Sequence, residues 1–173
     1  MTIRDELIDH VPRLRRYARA LIHNRELADD LVQDTLERAL RHTEQFQAGT
    51  DLRAWLFTIM HNVFANQARR PGARAEHVSM DDDEALPEAA LAVSSGATRS
   101  LEVRDLDYAL QRLPLDQRQV VLLVGLEELS YAEVALALGI PVGTVMSRLS
   151  RGRERLRALM SGTQPSANLK VVR

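Results

Sequence analysis

"SYAEVALALGIPVGTVMSRLSRGRERLR", residues 130–157, holds a helix start, a turn and a second helix in direct succession. Ser130 stands three residues before Glu133, the spacing at which hydroxyl and carboxylate cap one another's backbone N–H groups. Leu129 and Val134 are placed to staple that helix start. Gly139 supplies the left-handed residue that ends a helix, and Pro141 fits the opening of the next. Two helices joined by a short glycine-containing turn spell a helix-turn-helix. At about 100° per residue, Val145, Leu149, Gly152, Leu156 and Met160 share an inward sector of the second helix. Thr144, Ser147, Ser150 and Arg151 lie opposite, with Met146, Arg148 and Arg155 on the flanks. Between residues 144 and 157, five arginines against Glu154 leave a local charge of +4.

Small hydroxyl side chains beside long arginines suit a DNA major groove. Serine and threonine fit close to the backbone and base edges, while arginine reaches phosphate or the N7 and O6 of guanine. The cations also supply the counterion release that drives association with DNA. A solvated basic helix is the plainer alternative, but it does not account for the cap, the turn and the hydroxyl–arginine face occurring together.

This concentration of charge contrasts with a formal net charge of −1 over 173 residues. Residues 1–70 carry 11 basic and 10 acidic side chains, residues 71–100 carry 2 and 6, and residues 101–173 carry 10 and 8. Near-neutrality thus hides two slightly basic blocks around an acidic middle. Only Lys170 among the 23 basic residues is a lysine, which fits both a GC-rich genome and arginine's suitability for phosphate. The absence of cysteine excludes disulfides and thiolate metal sites. "MTIRDELIDH" has no apolar signal core, and no apolar run is long enough for a bilayer, so a soluble, cytosolic protein without membrane insertion is expected.

Working outward, the block 1–70 reads as helical throughout. Leu7, Val11, Leu14, Ala18 and Leu21 follow three- and four-residue steps, with Pro12 expected to start a second segment. A helix over about 25–42 turns Leu27, Leu31, Thr35/Leu36 and Ala39/Leu40 inward. After the loop "TEQFQAGT", Thr50 or Asp51 caps a third helix, which Pro71-Gly72 stops. Leu52, Trp55, Leu56, Ile59, Met60 and Val63 form its apolar stripe.

Residues 71–100 read as an acidic, mobile linker with at most a short helix around Glu88–Val93, and "DDDE" reads as a solvated run. The block 101–160 holds helices over about 101–112, from Pro114, from Ser130 and from Pro141, and 161–173 is a tail. The expected fold is all-α: two small helical domains, a three-helix-type bundle and a helix-turn-helix domain, joined by the linker.

The motif "LSYAEVALALGIPVGTVMSRLSRGRERLR" resembles the −35-reading segment of bacterial sigma factors of the extracytoplasmic function (ECF) type. "ADDLVQDTLERAL" is similar to their core-polymerase-binding helix, and "FQAGTDLRAWLFTIMHNVFANQARR" to their −10-reading loop and helix. The resemblance implies that Asp30, Leu31, Gln33 and Asp34 dock on the β′ clamp helices of core RNA polymerase, with the helix-turn-helix domain at the β flap. It implies −10 roles for Phe46, at a pocket for a flipped base, and for Asn62 and Asn66. It places Thr144, Met146, Ser147, Arg148, Ser150, Arg151 and Arg155 at −35 DNA. Met146 and Thr58 depart from basic residues frequent at their positions. Phe46 reads equally as a core residue, and Trp55 is expected in the core.

The resemblance further implies double-stranded and melted promoter DNA as partners and a controlling anti-sigma factor. No cofactor or metal is expected: His10, His23, His42, His61 and His77 show no ligand spacing, and no nucleophile–base set suggests an enzyme. Two rivals are a stand-alone helix-turn-helix regulator and a sigma-mimicking adaptor. The first would need a dimerisation or sensory region, and the second would not need DNA-facing arginines.

Overall fold

A computed structural model describes residues 2–70 and 97–162, and all their regular structure is helical. Helix α1 spans Ile3–Leu21, α2 Arg25–Arg41 and α3 Leu52–Ala68, with a 3-10 turn at Thr43–Gln45. Helix α4 spans Ala97–Gln111, α5 Leu115–Gly125, α6 Tyr131–Leu138 and α7 Val142–Met160. The expected linker lies outside the described residues from 71 to 96, including the acidic run and the short helix around Glu88–Val93. The tail does so from 163 onward.

Local chemistry explains most helix ends. The Asp5 carboxylate accepts from the Thr2 N–H at 3.0 Å and the Thr2 hydroxyl at 2.7 Å, closing the start of α1. Asn24 accepts from the Leu27 N–H at 2.9 Å to start α2. Asp51, rather than Thr50, caps α3 by accepting from Arg53 and Ala54. The backbone donors among these are N–H groups at helix starts that have no partner within their helix.

Pro12 corrects the reading of α1, because the helix runs through it without starting anew. Proline removes the bond to the carbonyl four residues back. Here that residue is Ile8, on an exposed side of the helix where water can replace the lost donor. The buried residues Leu7, Leu14, Ala18 and Leu21 continue on the other side.

Helix α2 lies between α1 and α3 in the first half, while α4, α5 and α6 gather around α7 in the second. Tyr17 of α1 meets Phe57 of α3 edge-on at 5.0 Å. Thr35 is buried because its hydroxyl donates to the Leu31 carbonyl at 2.7 Å, so no polar hydrogen is stranded in the core. Leu40, expected inward, is exposed, whereas its neighbour Ala39 is buried. Met160 is exposed as well.

The halves do not stand apart. Helix α3 packs on α6, and α1 packs on α4 and α5. Leu14, Leu31, Leu56 and Met60 therefore belong to one continuous apolar core with Val120, Leu123, Val134 and Val145.

Candidate nucleic-acid interface

The reciprocal cap predicted at α6 is formed. Ser130 Oγ accepts from the Glu133 N–H at 3.2 Å, and Glu133 Oε2 accepts from the Ser130 N–H at 2.7 Å. Leu129 and Val134 are both buried beneath it. Gly139 adopts φ 65°, and its N–H donates to the Ala135 carbonyl. A side chain in that left-handed conformation would be strained, so glycine permits the sharp exit from α6. Helix α7 then leaves at 103° to α6, within the range expected of a helix-turn-helix.

Val145, Leu149 and Gly152 anchor α7, leaving Met146, Ser150, Arg151, Arg153, Arg155 and Arg157 exposed. Thr144 and Ser147 are half-buried. The Ser147 hydroxyl donates to the Thr144 carbonyl at 3.1 Å, leaving oxygen lone pairs rather than its proton for an outside partner. Arg148 is half-buried, with its Nε 3.6 Å from Asp116 Oδ2 of α5. Asp116 thereby offsets part of the Arg148 charge.

In the other half, Asn62 and Asn66 are exposed one turn apart on α3. Phe46 is half-buried at the mouth of the loop before α3, with its ring 5.4 Å from that of Trp55 and tilted 51° to it. Both side chains pack against the edge of the core rather than inside it. Trp55 is thus less buried than its place on the stripe suggests. Thr58 donates to the Ala54 carbonyl at 2.9 Å.

Two family descriptions match the chain, one in each half. Residues 7–61 match the Sigma2 domain of PhyR, and residues 104–156 match Sigma-70, region 4. The ECF RNA polymerase sigma factor EcfG of Rhodopseudomonas palustris is 40% identical over 159 residues, covering 92% of this chain and 85% of that protein. This chain belongs to the ECF sigma factors.

Its fold is also that of solved relatives. The sigma factor RpoE of Bartonella quintana, in complex with the anti-sigma factor NepR, matches at a TM-score of 0.74 with 37% identity. That match covers 92% of this chain and 96% of the other. CnrH, in complex with the cytosolic domain of CnrY, matches at 0.63 with 27% identity, covering 91% and 86%. The sigma factor directs RNA polymerase to promoters, and its family acts as non-enzymatic initiation factors.

In the sigma factor, Asp30, Gln33 and Asp34 form an exposed polar flank of α2. Gln67 of α3 donates to Asp34 at 2.7 Å, and Gln33 donates to Glu37 at 3.4 Å. Leu31, the apolar member of the implied docking set, is 0% exposed and belongs to the core beneath that flank. No group of His, Asp or Glu among the described residues is arranged to hold a metal.

Sequence reasoning missed the residues that join the halves. Glu127 is fully buried, and Arg16 of α1 donates to its carboxylate at 3.1 Å. Arg118 of α5 donates to the Leu21 carbonyl at the end of α1 at 2.8 Å. No local pattern signals either contact, since their partners lie about a hundred residues away in the chain.

Proposed function

We propose that the sigma factor reads the −35 element with the exposed face of α7 and the −10 element with α3 and its preceding loop. Ser150 and Arg151 approach base edges, Arg155 holds phosphate, and Thr144, Met146, Ser147 and Arg148 border the contact. Phe46 and Trp55 form an aromatic edge against which an unstacked base can rest, with Asn62 and Asn66 alongside. Asp30, Gln33 and Asp34 dock on core polymerase, with residues 1–70 as the docking and −10 unit and 101–160 as the −35 unit. Residues 71–100 connect them. The cytoplasm is the place of action, and an anti-sigma factor is the controlling partner, as in the relatives solved with one.

The observation that carries this reading is the row of unpaired, exposed polar and basic side chains on α7, held by a capped helix-turn-helix. Opening a duplex costs a few kcal/mol per unstacked base, so docking on polymerase and capture of a base must act together. The test reconstitutes holoenzyme and follows promoter opening by permanganate reactivity near −10. Phe46→Ala should bind promoter closed but open it poorly, and Asn62→Ala should lose about 1–3 kcal/mol of −10 discrimination. Normal opening by both folded variants would move the base pocket elsewhere.

A further inference from the structure

Helix α7 changes character along its length. Residues 142–147 carry no charge, and all five arginines of the helix come from Arg148 onward. Val142 is 44% exposed and Met146 52% exposed, four residues apart and therefore in one row of the helix. Thr144 and Ser147 beside them are half-buried, and the Ser147 proton is already given to the Thr144 carbonyl. A Cβ added at Gly143 would meet no atom of a neighbouring element within 4 Å, so this first turn stands clear of the fold. A lone exposed apolar side chain is ordinary. Two in one row, on the open turn that follows the helix-turn-helix corner, form a surface.

Recognition helices of this architecture set their N-terminal residues against base edges in the major groove. At that end the exposed side chains of α7 offer carbon and sulfur rather than guanidinium or amide groups. Of the four bases only thymine presents an apolar group in the major groove, its C5 methyl. Guanine, adenine and cytosine show hydrogen-bonding atoms there, which Val142 and Met146 leave unmatched. About 6 Å of helix axis separates the two residues, and stacked base pairs lie about 3.4 Å apart, so the row spans neighbouring base pairs. Methionine is flexible and polarisable, which suits it to fit against a methyl group. A basic residue, frequent at this position in the family, would instead reach phosphate or hydrogen-bond a guanine.

We propose that Val142 and Met146 read thymine, packing on C5 methyl groups at one or two neighbouring positions of the −35 element. This apolar readout adds a preference that hydrogen bonds from Ser150 and Arg151 do not supply. Cytosine in place of thymine removes the methyl and sets an amino group against the methionine. The contact is short-range and uncharged, so it is insensitive to salt, unlike the contacts of the arginines further along α7. The proposal rests on the reading of the −35 element by α7 given above.

Holoenzyme reconstituted from the full chain and core polymerase is used to select DNA from promoters randomised over the −35 element. The selected sequences should carry thymine, on either strand, at one or two neighbouring positions. Deoxyuridine in place of each such thymine removes the methyl alone. It should weaken wild-type binding about threefold, the worth of one buried methyl group, and equally at two salt concentrations. Met146→Ala or Val142→Ala should lose the methyl effect at one position while melting near the wild-type temperature, as exposed substitutions do. Met146→Lys should bind thymine and deoxyuridine duplexes alike and steepen the salt dependence by about one charge. A methyl effect kept in full by both alanine variants would belong to DNA shape and overturns the proposal. A preferred −35 sequence without methyl dependence in the wild type overturns the proposal alone. A selection that yields no preferred −35 sequence overturns the reading by α7 and the proposal with it.

Discussion

Gly152 marks where α7 crosses α5 most closely, and replacing it with alanine tests how tightly the −35-reading helix is seated. A Cβ at this position would lie 2.7 Å from Val121 Cγ2, 3.4 Å from Gln117 Cβ and 3.5 Å from the Gln117 carbonyl oxygen. Carbon atoms prefer about 3.5–4.0 Å, so either α7 moves outward or Val121 leaves its rotamer. Valine in a helix has one strongly favoured χ1, and stepping aside is costly. Overpacking of this kind costs about 1–3 kcal/mol, while alanine's better helix propensity returns about 0.5–1 kcal/mol. The expected net loss centres on about 1 kcal/mol, a fall in Tm of roughly 2–4 °C for a protein of this size. Thermal melts of Gly152→Ala, Val121→Ala and the double variant form a cycle. Because Val121→Ala deletes the atom that is struck, the double variant should recover about 1 kcal/mol relative to the sum of the singles. Gly152→Ala should also weaken −35 selectivity, since the displaced helix carries Ser150 and Arg151. A Gly152→Ala protein that melts at or above the wild-type temperature would refute the steric argument.

Leu31→Ala should cost about 2–5 kcal/mol of stability, as expected for a fully buried leucine. Asp30→Arg with Gln33→Ala should instead leave the melt nearly unchanged and weaken core binding in a pull-down; undiminished binding by the folded double variant would remove this flank from the polymerase interface. Arg151→Ala should relax preference at one −35 position, at about 1–3 kcal/mol. Arg155→Ala should weaken all promoters alike and flatten the salt dependence by about one charge. Binding to a panel of −35 substitutions at two salt concentrations separates them, and uniform weakening by Arg151→Ala would contradict base reading. Burial holds the His61 imidazole below its usual pKa, and burial followed by the Arg13 charge does the same for His10. As pH falls through the unfolded value near 6.5, the unfolded chain takes up these protons first, so stability should decline toward the lowered folded values. Melts at pH 7.5 and 6.0 should show a smaller decline in His61→Gln than in wild type; equal declines would assign the slope to other groups.

The features legible in the sequence are those whose causes lie within a few residues. Ser130 and Glu133 cap one another three positions apart, Gly139 needs no distant neighbour to adopt φ 65°, and Asp51 bonds to N–H groups two and three residues on. Helical period alone sorted Val145 and Leu149 inward and Ser150 and Arg151 outward. Tertiary structure decided which residues at the borders of those faces are free. Arg148 found Asp116 on α5, and Leu40 and Met160 fell outside the cover of neighbouring helices. Pro12 could remain inside α1 because the missing hydrogen bond falls on an exposed side. The joining of the two halves depends wholly on such long-range contacts. Nothing within a few residues of Glu127 marks it for burial, and it is buried where α1 and α3 bring guanidinium groups from 111 and 74 residues away. Capping is settled between neighbours, but burial of a charge depends on what the rest of the chain places around it.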